Sequence, residues 1–196
     1  MRTQFGYSKR IRHFDLPGHI HELTFSCYRG QALLDCDERR ALMSRYVDRA
    51  PVRHGFRLSA FVYMPEHVHL LVWSTHHDAT IESLLKAIKQ PFSKQVRRNL
   101  EDAKSPILQK LTIRERPGKT AFRFWQEGGG YDRNFTEPES VLAAIDYIHL
   151  NPVRRGLVTR AEDWRWSSCR QFMARDRTLD PGLPKVECLP GEFLDS

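Results

Sequence analysis

Long hydrophobic runs and paired cysteines are both missing from this sequence of 196 residues. The longest apolar runs, such as residues 70–73 (LLVW), fall far short of the roughly 18 apolar residues expected of a membrane helix. We therefore expect no membrane partner. The four cysteines, Cys27, Cys36, Cys169 and Cys188, lie far apart without a C-x-x-C pair, which excludes a zinc ribbon and a dense disulfide framework. A reduced, cytoplasmic protein is the simplest interpretation.

The overall composition is that of an ordinary globular protein, with 40% hydrophobic, 28% charged and 11% aromatic residues. These values argue against wholesale disorder, and the length suits one domain that can bury a sizeable core. We place this single domain at residues 1–175. Residues 176–196 are net acidic, and we expect them to form a flexible tail.

Positive charge is in excess and is clustered. The chain carries 31 Lys and Arg residues against 24 Asp and Glu residues, a net charge of +7. Residues 86–123 alone contain 11 basic and 3 acidic side chains. A clustered basic stretch is typical of proteins that bind nucleic acid, because each neutralised phosphate releases counterions. The alternative is a solvated basic face that serves solubility alone.

Hydrophobic periodicity predicts an α+β fold in the order β-α-β-β-α-β, followed by an extra helix. Strands are expected at residues 19–28, 57–64, 67–74 and 121–126, and helices at residues 37–50, from residue 80 onward and at residues 136–152. This order suits a ferredoxin-like, four-stranded antiparallel sheet with helices on one face, to which the extra helix is added. Residues 101–119, which are charged and contain two prolines, are expected to form a flexible loop.

Local signals predict the helix ends. Pro91 is expected to kink the second helix or to start a new one. Thr136 and Glu139 form a predicted capping box, with Pro138 in the first turn of the last helix. Pro152 is expected to end that helix. The residues expected to face inward from it are Val141, Leu142, Ile145 and Ile148.

The third predicted strand carries two histidines that are separated by one residue. His67 and His69 are two residues apart, so they point to the same face of the strand, while Val68 points to the other face. Two imidazoles on one face can share a metal ion. The pattern is weak by itself, because His19 and His21 repeat it and paired histidines are often structural or merely exposed.

A phenol and an amide lie one turn apart at the end of the last predicted helix. Tyr147 and Asn151 are four residues apart and therefore share a helical face. An amide oxygen suits hard ions such as Mg²⁺ or Mn²⁺, and a phenol can be a covalent nucleophile. Taken alone, the pair also fits a half-buried aromatic residue and an ordinary residue that precedes Pro152.

Taken together, these motifs resemble those of a known family. Residues 63–71 (YMPEHVHLL), 125–128 (WQEG), 131–133 (YDR), 147–154 (YIHLNPVR) and 164–168 (WRWSS) occur in the order found in REP-associated tyrosine transposases. These are single-tyrosine HUH transposases, related to small insertion-sequence transposases that act on single-stranded DNA hairpins. The resemblance covers roughly residues 18–172. It departs from the family at Glu66, where Asn or Asp is expected, and at the three glycines of residues 128–130.

The resemblance implies a role for each matching residue. His67 and His69 would be metal ligands, completed by Asn151, and the ion would be Mg²⁺ or Mn²⁺. Tyr147 would attack a phosphodiester of single-stranded DNA, leaving a 5′-phosphotyrosine and a free 3′-hydroxyl. The implied function is a metal-dependent endonuclease and strand transferase that acts on hairpin-forming repeats. The resemblance also implies a monomer rather than a dimer, in the bacterial cytoplasm at the nucleoid.

Alternatives to this interpretation remain open. Tyr131 is a competing nucleophile, although it has no asparagine four residues later. The protein could also be a catalytically idle regulator that binds nucleic-acid hairpins. The presence of all four candidate site residues argues against this alternative. In either case, the residues expected to contact DNA are Lys86, Lys89, Lys94, Arg97, Arg98, Arg154 and Arg155.

Overall fold

The computed structural model describes residues 19–173 and 180–191. The strands in these ranges are β1 (Ile20–Ser26), β2 (Phe56–Tyr63), β3 (His67–Ser74), β4 (Thr112–Arg116), β5 (Lys119–Phe122) and β6 (Tyr131–Phe135). The α-helices in the same ranges are α1 (Asp37–Arg53), α2 (Ile81–Asp102), α3 (Ile107–Leu111), α4 (Pro138–Arg154) and α5 (Cys169–Met173). Short 3₁₀ turns occur at Tyr28–Gly30 and Ala161–Asp163.

Four of the strands form one antiparallel sheet in the order β2-β3-β1-β6. This order confirms the predicted ferredoxin-like sheet, with β1 in a central position between β3 and β6. Thr24 of β1 lies opposite His69 of β3 and also opposite Tyr131 of β6. These three residues therefore form a row across the sheet.

The two faces of the sheet carry different helices. Leu23 and Phe25 of β1 belong to a large core that includes side chains of α1 and α2. Ile20 and Leu71 belong instead to a smaller core under α4. Successive side chains of a strand point to opposite faces, so β1 and β3 contribute to both cores. The predicted arrangement of helices on one face plus an extra helix is confirmed, and the extra helix covers the opposite face.

The fourth strand of the sheet is not the one that the sequence predicts. Residues 121–126 were expected at this position, but β6 (Tyr131–Phe135) occupies it. β4 and β5 form a separate two-stranded hairpin, and the predicted loop at residues 101–119 contains α3 and β4. Hydrophobic periodicity does not reveal β6, because β6 is an edge strand in which only Phe135 is buried.

Prolines interrupt the helices less than the sequence predicts. α2 runs unbroken from Ile81 to Asp102 with Pro91 inside it. Its buried face continues past the proline through Phe92 and Val96, and burying such side chains contributes about 1.5–3 kcal/mol each. That gain offsets the cost of about 3 kcal/mol for a proline inside a helix. Pro152 likewise lies within α4, which ends at Arg154.

The start of α4 also differs in detail from the prediction. The helix begins at Pro138, and the capping position is Glu137, whose side chain makes no capping hydrogen bond. The predicted capping box of Thr136 and Glu139 is therefore not formed. Proline at the first helical position already removes one unpaired N–H, so the helix begins without the box. Leu142 is 53% exposed, contrary to the prediction, because it lies beside the apolar stripe of Val141, Ile145 and Ile148.

Part of the segment expected to be a flexible tail is described by the structure. Leu183 is buried, and the backbone N–H of Glu187 donates to the carbonyl of Leu58 on β2 at 2.8 Å. Residues 180–191 therefore pack along the β2 edge of the sheet. Within residues 19–173 and 180–191, no helix combines the length and the apolar character needed to cross a membrane.

Candidate active site

The two histidines of the H-x-H motif lie at the start of β3, on the face that α4 covers. As the alternation predicts, the rings of His67 and His69 are neighbours, with centroids 4.8 Å apart and planes at 84°. Val68 between them is fully buried in the opposite core. The pleat of one strand thus places two imidazoles side by side.

α4 brings the phenol and the amide to these histidines. The ring of Tyr147 packs edge-on against His69, with centroids 5.5 Å apart. One turn later, the amide of Asn151 donates from Nδ2 to Nε2 of His69 at 3.1 Å. His149 points elsewhere and is hydrogen-bonded through Nε2 to Ser168 Oγ at 2.9 Å. Residues about 80 positions apart in the sequence therefore form one cluster, in which His149 takes no part.

Hydrogen bonds at Nδ1 orient both imidazoles. Since Nε2 of His69 accepts from Asn151, its Nδ1 carries the hydrogen, which it donates to Thr24 Oγ1 at 2.8 Å. A carboxylate oxygen of Glu22 lies 3.4 Å from the same Nδ1. Nδ1 of His67 lies 3.2 Å from a carboxylate oxygen of Glu66. Oxygen partners at Nδ1 leave Nε2 of each ring as the nitrogen that could bind a ligand, and at His69 that ligand would replace the hydrogen bond from Asn151.

Glu22 and Thr24 were not among the residues selected from the sequence. Both are polar, they are two residues apart, and they alternate with Leu23 and Phe25 in the middle of β1. Buried polar side chains need partners, so this alternation was the available signal of a polar site on one face of β1. Which side chains they would meet depended on the pairing of β1 with β3.

The donor set of this cluster fits a divalent metal ion. Two imidazoles lie beside an amide. Imidazole nitrogens suit first-row divalent ions, and an amide oxygen also suits Mg²⁺ or Mn²⁺. Burial, followed by the proximity of His69, lowers the pKa of His67 to about 4, which keeps this imidazole neutral near pH 7. The described ranges contain no group of three or more His, Cys, Asp or Glu side chains suited to a metal. The third side chain that could hold an ion beside the two histidines is Asn151, through its amide oxygen.

A cavity of about 590 Å³ opens beside the cluster, between α4 and the β6 edge of the sheet. His69 and Tyr147 line it together with Tyr131 of β6. The side chain of Tyr147 is 40% exposed, so solvent can reach it. The guanidinium of Arg154 lies 5.0 Å from the centroid of the Tyr147 ring and lines the same cavity. The cavity therefore presents a phenol, an imidazole and a positive charge to one volume.

An ion pair joins the end of α4 to the turn before β3. Arg155 donates to the same carboxylate oxygen of Glu66 that lies near His67. The unexpected glutamate at position 66 thus links the helix that carries Tyr147 to the strand that carries the histidines. Arg155, selected as a DNA contact, is engaged in this pair.

The basic residues selected on α2 lie on the other side of the sheet from this cavity. α2 belongs to the core opposite α4, so these side chains are not brought to the site. Lys86, Lys94 and Arg98 are exposed, whereas Arg97 pairs with Glu101 at 2.7 Å. Lys89 is partly buried and donates to the carbonyl of Gly128 at 2.9 Å. Of the selected basic residues, only Arg154 lines the cavity.

Comparison with known proteins identifies the family. A family model described as "Transposase IS200 like" matches residues 17–115, which include β1 and both histidines but end before α4. The chain belongs to this family of IS200-like transposases.

Among curated proteins, the chain is similar to a REP-associated tyrosine transposase of Escherichia coli, with 25% identity over 120 residues. This match covers 61% of the chain and 58% of the relative. A putative REP-associated tyrosine transposase of Haemophilus influenzae is 26% identical over 115 residues, which cover 59% of the chain and 60% of that relative. The matches therefore span about three fifths of the length of each relative.

A solved structure has the same fold. It is the structure of a REP-associated tyrosine transposase bound to a REP hairpin, and it superposes with a TM-score of 0.61 at 19% sequence identity. The match covers 90% of this chain and 98% of the solved chain. This similarity supports the α+β fold with its four-stranded antiparallel sheet.

Proposed function

We propose that the protein is a metal-dependent enzyme that nicks and joins single-stranded DNA through a covalent 5′-phosphotyrosine. The observation that carries the proposal is the meeting of Tyr147 and Asn151 with the His67–His69 pair. A nucleophile, three metal-binding side chains and a cation beside an open cavity are the parts that phosphoryl transfer needs. Membership in a transposase family supports the same chemistry.

The proposed nucleophile is the phenolic oxygen of Tyr147. It forms a bond to the phosphorus of a phosphodiester, and the bond between that phosphorus and the 3′ oxygen breaks. The phenol loses one proton and the departing 3′ oxygen gains one. One phosphoester replaces another, so the energy of the bond is retained and no nucleotide cofactor is consumed. Attack by a 3′-hydroxyl on the phosphotyrosine reverses the step and joins DNA ends.

His67, His69 and Asn151 would hold the metal ion. When bound, Mg²⁺ or Mn²⁺ would neutralise charge that develops on the scissile phosphate and polarise its phosphorus. Arg154, which lies over the Tyr147 ring, would contact the same phosphate through its guanidinium. The two histidines are oriented beforehand by Glu66, Glu22 and Thr24, so little rearrangement of the protein is needed.

The proposed substrate is a hairpin-forming DNA repeat with unpaired nucleotides beside its stem. The similar solved structure is of a protein bound to a REP hairpin, and this chain carries a net charge of +7. Lys86, Lys94 and Arg98 are exposed on α2 and would contact phosphates away from the reacting centre. Such contacts are independent of base identity and weaken as salt is added.

The test uses 3′-end-labelled single-stranded hairpin oligonucleotides taken from repeats that flank the gene of this protein. They are incubated with the full chain and Mg²⁺ or Mn²⁺, and the products are separated on a denaturing gel. We expect a labelled adduct that migrates with the protein. It should be absent from Tyr147→Phe and from reactions that contain EDTA.

Tyr46→Phe is the matched control, because Tyr46 lies on α1 and packs in the opposite core. It should form the adduct at the wild-type rate. An adduct that persists in Tyr147→Phe would contradict the assignment of the nucleophile. Retarded DNA on a native gel, with no adduct or cut strand under either metal, would instead support the alternative of a catalytically idle hairpin-binding protein.

A further inference from the structure

The edge strand β6 presents an exposed aromatic ring beside the candidate active site. Tyr131 is 55% exposed and lies directly opposite Thr24, which in turn lies opposite His69. Neighbouring strands are about 4.8 Å apart, so the backbone of Tyr131 is about 10 Å from that of His69. Tyr131 is therefore two strands away from the histidine that the Tyr147 ring contacts. This separation argues that it has a role other than nucleophile.

Tyr131 and α4 form opposite walls of the cavity of about 590 Å³. On the helical wall, three of the lining residues have small side chains, namely Ser140, Ala143 and Ala144. Their size leaves a gap between the helix and the strand. The volume lies within the range of about 300–1,000 Å³ that is typical of sites for small organic groups. The cavity is thus a slot with an aromatic ring on one side.

A glycine holds Tyr131 in this position. Gly130 has a φ of +84°, and a Cβ built on it would lie 2.1 Å from the carbonyl oxygen of Thr24. Only glycine allows this backbone conformation together with such a close approach. β6 consequently begins directly against β1, and Tyr131 is fixed by strand pairing immediately after the glycine. Gly130, one of the three glycines that depart from the family pattern, therefore helps to place the ring.

Positive charge accompanies the slot. Arg133, on the same face of β6, and Arg154 of α4 both line the cavity. The ligand that matches an exposed aromatic ring, a narrow gap and two guanidinium groups is a nucleotide, whose base stacks while its phosphates meet the cations. Protein contacts to unpaired nucleotides commonly combine these features.

We propose that Tyr131 stacks on an unpaired base of the DNA strand, next to the phosphodiester that Tyr147 attacks. The base occupies the slot between Tyr131 and the Ser140–Ala144 segment of α4. This inference rests on the proposed function and adds the position of one substrate nucleotide. The phenolic hydroxyl of Tyr131 is not required, so phenylalanine should replace tyrosine at this position.

The test measures DNA affinity by fluorescence anisotropy without metal, in full-length protein that carries Tyr147→Phe to prevent reaction. Two oligonucleotides are compared, a hairpin with its unpaired flanks and the same hairpin trimmed to a blunt stem. Tyr131→Ala should weaken binding of the flanked hairpin about tenfold and leave binding of the blunt hairpin unchanged. Tyr131→Phe should bind both as tightly as the parent protein does.

Abasic substitutions then locate the stacked base. One flanking position should cost the parent protein about tenfold in affinity and cost Tyr131→Ala nothing further. Equal losses for the flanked and blunt hairpins, or no coupled abasic position, would overturn the stacking role. A parent protein that does not distinguish the two hairpins would also overturn it.

A separate measurement distinguishes this inference from the proposed function. With Tyr147 restored and with metal, Tyr131→Phe should form the covalent adduct as the wild-type protein does, and Tyr131→Ala should need about tenfold more DNA to reach half of its maximal adduct yield. Loss of the adduct in both Tyr131→Ala and Tyr131→Phe would make Tyr131 part of the chemistry and overturn the stacking role. Absence of the adduct in the wild-type protein would count against the proposed function, while the affinities would still decide the role of Tyr131.

Discussion

The nitrogen atom that each histidine presents decides what the pair can bind. His67 and His69 both have an oxygen partner at Nδ1, and these partners are Glu66 for the first ring and Thr24 with Glu22 for the second. The sequence places both rings on one face, but it does not indicate their orientation. Orientation depends on side chains from another strand and from the preceding turn.

We expect the buried carboxylate of Glu22 to support metal binding at the proposed site through His69. Glu22 is 6% exposed and lies 3.4 Å from Nδ1 of His69. Glu22→Gln keeps the size of the side chain and removes its charge. We expect the affinity for Mn²⁺ to fall about tenfold, because loss of an outer partner disturbs a ligating imidazole. Titration of Mn²⁺ followed by electron paramagnetic resonance, without DNA, measures this change.

Glu139→Gln provides the control for charge. Glu139 is exposed in the first turn of α4. Its replacement by glutamine removes one negative charge from the same domain, as Glu22→Gln does. It should leave Mn²⁺ binding unchanged. Wild-type affinity in Glu22→Gln would show that the hydrogen bond to Thr24 is sufficient to orient His69.

Among the secondary-structure elements, the site-facing side of α4 could be predicted from the sequence, whereas the position of β6 could not. The spacing of Tyr147 and Asn151 predicts that they share one face of a helix, and both contact His69. β6 was missed because its sequence, YDRNF, has no apolar alternation. An edge strand is stabilised by backbone pairing with β1, and that pairing depends on residues far away in the chain.

The close contact between β6 and β1 predicts unequal effects of alanine at two neighbouring glycines. Gly130→Ala should lower the free energy of unfolding by about 1–3 kcal/mol, because its Cβ would collide with the Thr24 carbonyl and its φ is +84°. Gly129→Ala has open space around its Cβ and should have little effect. Urea denaturation of both variants measures the difference. Equal stabilities would mean that β6 can move away from β1 without cost.

At the scale of the whole molecule, one chain holds every residue of the candidate site. α4 packs on the sheet that carries the histidines, and Ile145 and Ile148 of the helix share a core with Leu71 of β3. No second copy is needed to bring Tyr147 to His69. We therefore expect a monomer of 23.0 kDa in light scattering coupled to size-exclusion chromatography.

Mixing two inactive variants tests the same arrangement during reaction. Tyr147→Phe lacks the proposed nucleophile and His67→Ala lacks a proposed metal ligand. If each chain builds its own site, the mixture should form no more adduct than either variant alone. Adduct formation by the mixture would show that one chain can lend its tyrosine helix to another, as in a dimer that exchanges helices.

Local relations between residues of this protein can be predicted from its sequence. The alternation of His67 and His69, the four-residue spacing of Tyr147 and Asn151, and the net charge of +7 follow from the order of residues. Strand and helix periods are properties of the backbone, so such relations can be predicted without knowledge of the fold.

Which of these side chains come into contact depends on the folded arrangement of the strands and helices. The register of β1 places Glu22 and Thr24 beside His69, and the packing of α4 brings Asn151 within 3.1 Å of the same ring. The pairing of β6 places Tyr131 across the cavity. The basic residues of α2 that were predicted to contact DNA lie away from the site, because α2 packs on the opposite face of the sheet. Contacts between distant segments depend on the burial and pairing of many residues at once, so they cannot be predicted from a local sequence pattern.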